Sequence, residues 1–485
     1  MTPPLLSGLI LLPLAGALLV WLLPARLARR VAAGVLVAVL FAAAAAVVAF
    51  EPSLPGFQLV ERRPWIAGLG IAYHLGVDGI SVLFLPATAL LFLGALVADW
   101  KTAEDAPRFH YSLLLALQAC TLGVFCALDT ILFFAFWELG LVPVYFLLGH
   151  RGIGAAAGRA APRYFLFMLA GGVPLLFAFL TLAASQGVPT FDLVQLLAAP
   201  LPRPTQYMLL VLFLLGFGVK VPLVPLHTWL PQVALAAPGS LVALLAGLKV
   251  GAYGLIRFAV PLAPAAAADL HWLLAGLGTV AVLYGAVGTL SQTNLRVVLA
   301  YSSISHVGMA VLGLAALDAR GVQGAVALVL GFAVASGGAF LLCEFLRQRT
   351  GSTDVGSLGG AAGTMPRLAD GFLICGLAGV GMPGTSGFPG EMLIVLATLQ
   401  SHTGAALGAL FGLVVGAAGF LSIYRQAFWG PVTRPAVAQA SDLLPREWAV
   451  LMVVVALAVG IGLYPGPVLD LIAPAAQAWA ARLPG

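Results

Sequence analysis

Two lysines lie within stretches of sequence that are otherwise apolar enough to cross a membrane. Only three of the 23 Lys and Arg residues are lysines, namely Lys101, Lys220 and Lys249. Arginine stays charged under nearly all conditions, whereas a lysine that is removed from water changes its protonation state readily. Lys220 and Lys249 are therefore candidates for residues that load and release a proton.

Two glutamates lie in equally apolar surroundings, Glu138 in "FFAFWELGLVPVYFLLG" and Glu391 in "GMPGTSGFPGEMLIVL". A charge at the bilayer centre costs on the order of 2.5 to 3.5 kcal/mol, so each needs a partner or water. Glu138 is the natural partner of Lys220, and motion that separates the two favours neutralising both. The alternatives are a static ion pair that fixes helix packing and, for Lys249, a side chain that reaches the membrane interface.

A histidine among hydroxyl side chains supplies a further candidate. His306 lies in "AYSSISHVGMAVLG", close to Ser302, Ser303 and Ser305. With an unperturbed pKa of about 6.5, it can relay protons between Lys249 and Glu391 through water held by the serines. The alternative is a hydrogen-bonded histidine of the protein core.

Prolines interrupt the helices that carry two of these charges. Pro222 and Pro225 lack N–H donors, so backbone carbonyls next to Lys220 must be met by side chains or by water. His227 follows this break, and proton transfer and bonding to freed carbonyls are equally good interpretations. A second break, "GMPGTSGFPGE", precedes Glu391. Two such breaks indicate a transporter built from repeats, with its ion path at the breaks.

The elements that hold these residues are membrane-spanning helices. Of the 485 residues 61% are hydrophobic and 8% are charged, and the mean hydropathy is +1.06, which predicts an all-α polytopic membrane protein. We predict 14 transmembrane helices, the seventh and twelfth of them broken. They lie roughly at residues 5–23, 31–50, 79–98, 112–128, 130–149, 163–185, 207–230, 239–261, 270–290, 293–315, 322–346, 370–399, 404–429 and 446–470.

The connections predict the topology. Most arginines lie in short loops on one side, which the positive-inside rule makes cytoplasmic, so both termini face outward. Residues 51–78 are expected to form a small ordered outer cap, residues 350–367 a flexible cytoplasmic link, and residues 474–485 a short interfacial helix. Scattered loop arginines do not form the basic, aromatic-lined face that nucleic-acid binding requires.

No redox centre is predicted in this chain. The cysteines Cys120, Cys126, Cys343 and Cys375 lie in apolar runs without a CxxC pair, so no metal site or iron–sulfur cluster is indicated. No phosphate-binding or dinucleotide-binding motif is present. Any electron transfer is therefore expected in another polypeptide.

Five motifs follow one another along the chain: "FWELGLVPVYFLLG", "GVKVPLVPLHTWLP", "LKVGAYGLIRF", "NLRVVLAYSSISHVGMAVLG" and "GMPGTSGFPGEMLIVL". In this order they resemble the antiporter-like, proton-translocating subunits of respiratory complex I, of cation/proton antiporters and of membrane-bound hydrogenases. The chain looks most like the M-type (chain 4) subunits of NADH:quinone oxidoreductase, because Glu391 stands where the L, N and antiporter D subunits typically carry lysine and the long lateral C-terminal helix of the L type is absent.

The resemblance implies two inverted five-helix repeats. It implies domains at residues 1–111 (helices 1–3), 112–262 (helices 4–8), 263–430 (helices 9–13) and 431–485 (helix 14 and tail). By the same resemblance Glu138 and Lys220 form a gating pair, Lys249 is the central proton carrier, His306 belongs to the polar axis, and Glu391 is the terminal site.

The function implied is that of a non-redox, proton-translocating subunit in the membrane arm of an NADH:quinone oxidoreductase. The chain itself is expected to bind no cofactor, with FMN, iron–sulfur clusters and quinone in partner subunits. Expected partners are L-like and N-like antiporter homologues, small helical subunits and the lipid bilayer, in a bacterial inner (cytoplasmic) membrane. The alternatives are a subunit of a multisubunit Na⁺/H⁺ antiporter or of a membrane-bound hydrogenase.

The sequence departs from the family pattern at five positions. After "HTWLP" the family usually carries acidic and histidine residues where this chain has Gln232, Ala234 and Ala236. Gln118 stands where a glutamate is frequent, and Phe332 stands near an expected histidine of the eleventh helix. These changes are expected to alter the cytoplasmic entry route and part of the central axis, and they leave the four core charges in place.

Overall fold

The computed structural model describes residues 4–154 and 157–483, and within them the predicted 14 membrane-crossing units are present. Of these, 11 are helices long and apolar enough to cross a membrane alone, helix 3 is shorter, and helices 7 and 12 each consist of two halves. The units are helix 1 (Leu5–Leu22), helix 2 (Ala25–Ala49), helix 3 (Phe84–Ala98), helix 4 (Pro107–Cys126), helix 5 (Thr130–Arg151), helix 6 (Ala157–Ala184), helices 7a (Arg203–Lys220) and 7b (Trp229–Ala236), helix 8 (Gly239–Ala259), helix 9 (His271–Ser291), helix 10 (Leu295–Ala315), helix 11 (Ala319–Thr350), helices 12a (Pro366–Gly379) and 12b (Phe388–Ser401), helix 13 (Thr403–Phe428) and helix 14 (Pro445–Leu463).

The two predicted breaks are confirmed. Helix 7a ends at Lys220, directly before the prolines that cannot continue the hydrogen-bond ladder. Helix 12a ends before Gly381 and Gly384, whose φ angles of 69° and 86° turn the chain out of the helix. Each break falls in the fourth helix of a set of five, helices 4–8 and 9–13.

Helix 8 contains a third interruption, so the prediction of an unbroken helix at residues 239–261 is wrong. Its first segment ends at Gly247, and Lys249 adopts a left-handed conformation with φ 44° and ψ 46°. The helix resumes at Val250–Gly254 and then widens into a π-turn at Leu255–Ala259. A left-handed residue other than glycine costs roughly 1 to 2 kcal/mol, and such strain concentrates at functional sites.

The most buried helices lie at the centre of the bundle. In the apolar window of helix 11 all residues are buried, and in helices 8 and 10 the share is 89%, whereas in helix 14 it is 22%. Outer helices therefore present apolar side chains to lipid, and the inner helices are those that carry Lys249 and His306.

The predicted outer cap is an antiparallel hairpin of β1 (Gln58–Ile66) and β2 (Ile71–Val77). The Glu61 carboxylate accepts hydrogen bonds from the backbone N–H groups of Leu6 (2.7 Å) and Ser7, which satisfies the free start of helix 1. Below the hairpin, burial raises the pKa of Asp192, but its hydrogen bond with His74 and the charge of Arg62 hold that pKa below its usual value.

The link at residues 350–367 is ordered, so the prediction of a flexible connection is wrong. The Leu295 amide donates to the Thr353 carbonyl and the Gly359 amide to the Ala427 carbonyl, and Met365 is fully buried. Two short 3₁₀ turns fold this segment over the ends of helices 10 and 13. The C-terminal helix, Gly466–Ala480, begins earlier than predicted.

Candidate functional site

The interruptions place three of the predicted charges at the ends of helix segments. Lys220 lies in the last turn of helix 7a, Glu391 lies in the first turn of helix 12b, and Lys249 directly precedes the second segment of helix 8. The carboxyl end of a helix favours a cation and the amino end favours an anion. At Lys220 and Glu391 the break therefore leaves a half-helix end that stabilises the charge it carries.

Lys220 and Glu138 are neighbours without a direct ion pair. The Lys220 ammonium donates to the carbonyl oxygen of Trp137 (2.9 Å) and lies 3.8 Å from the centre of the Trp137 ring. The Glu138 carboxylate packs against Gly172 of helix 6, and its buried Oε1 has no hydrogen-bond partner among the described residues. The lysine is thus held by the backbone next to the glutamate, so a small movement can join or separate the two charges.

A cavity of about 60 Å³ lies beside Lys220 and is lined by residues of helices 3 to 8. Thr121 and Tyr164 contribute hydroxyl groups to its wall, and it extends to Val250, the residue after Lys249. A space of this size with polar groups in its wall is large enough for water. It can therefore connect the region of Lys220 with that of Lys249.

Lys249 is buried and held by two groups. Its ammonium donates to the hydroxyl and to the carbonyl oxygen (3.3 Å) of Ser303 in helix 10, and it lies 4.3 Å from the centre of the Phe332 ring. The cation over the ring face is stabilised by the ring quadrupole. Ser303 is the group in contact with Lys249 that can accept and donate a proton.

His306 lies next to Glu391 and is linked to Lys249 by a shared aromatic neighbour, Phe332. Its Nε2 lies 3.2 Å from Glu391 Oε1, and neither atom has an aligned hydrogen-bond partner within the described part of the chain. Its Nδ1 lies 2.7 Å from the Ser302 carbonyl oxygen, and its ring stacks on Phe332 with centres 4.2 Å apart. Phe332 therefore contacts both Lys249 and His306, and it separates them with a face that cannot carry a proton.

Glu391 is positioned by a glycine. Gly381 has a φ of 69°, and a Cβ built there would overlap the Glu391 carboxylate. We expect Gly381→Ala to lower the free energy of unfolding by about 1 to 2 kcal/mol from backbone strain and, in addition, to reduce proton translocation by displacing the carboxylate. The measurements are thermal unfolding and redox-driven acidification in membrane vesicles.

Gly384→Ala is the matched control for that prediction. Gly384 also has a left-handed backbone, with a φ of 86°, but a Cβ there meets only Leu463 Cδ2 at 3.5 Å. Gly384→Ala therefore introduces a backbone strain comparable to that of Gly381→Ala, but the added methyl group does not contact the Glu391 carboxylate. Equal losses of proton translocation in the two variants would contradict a specific role for the Gly381–Glu391 contact.

Two predicted residues lie beside the axis. His227 is buried against the Tyr284 ring, 4.6 Å between centres, and its Nδ1 has no partner among the described residues. Gln118 is fully buried, and neither atom of its side-chain amide has a hydrogen-bond partner there. Buried amides without partners normally bind water, so Gln118 marks a hydrated position without a charge.

Sequence reasoning missed several buried ionisable residues. Arg257 makes a two-pronged ion pair with Asp78, at 2.7 and 2.5 Å, and joins helix 8 to the turn below the hairpin. Asp99, His110 and Glu344 are also buried. Each lies near a predicted helix end, where a charged residue is ordinarily exposed, and only the packing of distant helices covers it. Within residues 4–154 and 157–483 no group of three or more His, Cys, Asp or Glu side chains could hold a metal ion.

Comparison with known proteins gives consistent matches over most of the chain. Residues 127–416 match the family model described as "NADH:quinone oxidoreductase/Mrp antiporter, TM". The NADH-quinone oxidoreductase subunit M of Rhodobacter capsulatus is 36% identical over 440 residues, 88% of this chain and 85% of that protein. The subunit M of Escherichia coli K12 is 35% identical over 431 residues, 86% and 84% of the two chains.

Solved structures match over nearly the full length. A chain of the respiratory complex I from Thermus thermophilus with bound NADH has a TM-score of 0.90 and 33% identity, covering 99% of this chain and all of that one. A chain of the Mrp complex from Dietzia has a TM-score of 0.88 at 23% identity, covering 99% and 98%. The first match confirms the predicted fold class, and the second shows the fold alone.

Proposed function

Because this chain belongs to the family of subunit M of NADH:quinone oxidoreductase, the antiporter-like subunits of the membrane arm, we propose that its buried row of ionisable side chains carries protons across the membrane. The observation that supports the proposal is the placement of Lys220, Lys249 and Glu391 at three helix interruptions, with Glu138 beside the first and His306 beside the last. Polytopic transporters bind ions at such breaks.

The proton passes between neighbouring ionisable and hydroxyl side chains, and through water where these side chains are not in direct contact. When the Glu138 charge withdraws, the Lys220 ammonium loses stabilisation and releases its proton to water in the adjoining cavity. The Lys249 amine accepts this proton and later passes it through the Ser303 hydroxyl toward His306. The ring of His306 delivers it to Glu391, 3.2 Å away, which releases it on the outer side.

The redox chemistry that drives these steps is assigned to partner subunits, together with FMN, the iron–sulfur clusters and the quinone. This chain is a subunit of the oxidoreductase, and its own role is to carry protons without a redox centre. Its neighbours are L-like and N-like antiporter homologues and small helical subunits, in the cytoplasmic membrane of a bacterium. The domain division at residues 111, 262 and 430 stays a prediction.

Membrane vesicles from a strain that depends on this chain test the function. We expect NADH oxidation to acidify inside-out vesicles without added sodium, and mild-detergent purification to yield flavin and iron–sulfur subunits, including one that binds NADH. Proton flux driven by a sodium gradient without NADH would favour the antiporter alternative. Hydrogen evolution by the purified assembly would favour the hydrogenase alternative.

A further inference from the structure

A second cluster of buried polar side chains lies at the arginine-rich end of the bundle, away from the axis described above. His110 at the start of helix 4 places Nε2 3.1 Å from Asp99 Oδ2, and the Ser240 hydroxyl donates to Asp99 Oδ1 at 2.8 Å. The three side chains belong to the ends of helices 4, 3 and 8, and none is more than 5% exposed. A histidine against a carboxylate can hold an extra proton, because the carboxylate stabilises the imidazolium.

His110 faces a small polar cavity. Neither ring nitrogen has an aligned hydrogen-bond partner among the described residues, and the ring lines a cavity of about 10 Å³ together with Asp99, Ser240 and Arg151. This volume is close to that of one water molecule by the same measure. The site is therefore built to exchange a proton with water, and it is not a fully satisfied part of the core.

The remaining charges around this cluster are cationic or already paired. Arg151 of helix 5 lines the cavity, and Arg347 of helix 11 lies within the electrostatic reach of Asp99. Glu344 is engaged by Arg347 at 2.5 Å and by the Gly239 amide at 2.8 Å. Asp99 is thus the carboxylate that faces the histidine.

The cavity at His110 and the cavity at Lys220 follow each other along the same helices. Helix 4 lines the first with His110 and Leu114 and the second with Leu117 and Thr121. Leu244 of helix 8 lines both cavities. From His110 to Thr121 the helix rises by about 16 Å, so the two cavities together extend over about that distance along helix 4 toward Lys220.

Helix 7b, which also approaches this end, offers no proton-carrying side chain. Its residues are "WLPQVALA", where Gln232 accepts a hydrogen bond from Arg163 at 3.0 Å and Ala234 and Ala236 are buried. The Trp229 indole is committed to the Val219 carbonyl. A titratable entry group must therefore come from another helix.

We propose that His110, supported by Asp99 and Ser240, takes protons from the cytoplasmic side and supplies them to Lys220 past a constriction formed by Leu244. This inference rests on the proposed function. A hydrated proton from the cytoplasmic side adds to the free imidazole nitrogen of His110. It then leaves by the water path between helices 4 and 8 to the Lys220 amine, which becomes an ammonium, and His110 returns to its neutral form.

The test uses the assembled complex in inside-out vesicles with NADH as the electron donor. We expect His110→Asn to slow proton translocation by about tenfold at alkaline pH and by much less at acidic pH, where protons enter from water without a collecting group. We expect imidazole to restore the rate of His110→Ala. His150→Asn is the matched control, because His150 of helix 5 is an exposed histidine at the same end of the helix bundle as His110.

The proposed entry site is overturned if assembled His110→Asn translocates protons at a normal rate at alkaline pH while Lys220→Ala does not translocate them. That result leaves the proposed function standing. A pH-independent loss without rescue by imidazole also overturns the entry site, because that behaviour indicates a packing role. Normal rates in both variants overturn the proposed function itself. If His110→Asn does not assemble, Leu244→Phe tests the route instead, because the larger side chain fills the constriction and is expected to slow proton translocation. An unchanged rate of translocation in Leu244→Phe overturns the route.

Discussion

Replacing Lys249 with methionine is expected to reduce NADH-driven proton translocation by at least about tenfold while the complex remains assembled. Methionine has a similar length and no charge, so the substitution removes a buried cation that costs on the order of 2.5 to 3.5 kcal/mol to place in a membrane. It leaves the Ser303 hydroxyl without its partner, which costs about 1 kcal/mol. The two effects oppose each other and the first is the larger, so we expect the complex to stay assembled while the proton carrier is lost.

Lys101→Met is the matched control for this experiment, because Lys101 is an exposed lysine in the loop after helix 3. Acidification of inside-out vesicles and the amount of assembled complex are measured for both variants. Normal acidification in Lys249→Met would contradict the role of Lys249 as the central carrier. Ser303→Ala is expected to slow transfer less, since water can replace a hydroxyl in a proton path.

The two proline and glycine breaks could be predicted because their cause is local. Pro222 and Pro225 remove backbone donors, and the glycines near Gly381 permit a left-handed turn, whatever lies around them. The interruption at Lys249 has no such signal. Helix 8 packs closely against the end of helix 7a, so that a Cβ at Gly251 would lie 2.7 Å from the Val221 amide nitrogen. This tertiary contact accompanies the distorted backbone, and the local sequence pattern does not show it.

The sequence shows which charged residues lie within apolar helices, but it does not show the contacts that they make. A charge in an apolar helix is visible in the sequence because burial makes it costly. The bond from Lys220 to the Trp137 carbonyl and the position of Phe332 between Lys249 and His306 depend on side-chain directions that no spacing specifies. The Asp99–Ser240 contact joins residues 141 positions apart, each of ordinary appearance at a helix end.

The change Lys220→Ala is expected to reduce proton translocation and coupled quinone reduction by about tenfold. The structure gives this lysine two separable roles, a charge beside Glu138 and a proton donor at the cavity. Lys220→Arg separates them, because arginine keeps the charge and does not release its proton in proteins. We therefore expect the arginine variant to fail nearly as completely as the alanine variant.

Normal translocation by Lys220→Arg in an assembled complex would contradict proton exchange at this position and favour a static charge that only fixes packing. The relation to Glu138 is tested by adding Glu138→Gln to each variant. If the two residues act as one unit, the double variant Glu138→Gln with Lys220→Ala loses no more activity than Lys220→Ala alone. A larger, additive loss would mean that Glu138 acts independently of Lys220. The structure is compatible with that outcome, because Glu138 Oε1 is buried against helix 6 without a hydrogen-bond partner among the described residues, so a change of rotamer can give the carboxylate another partner.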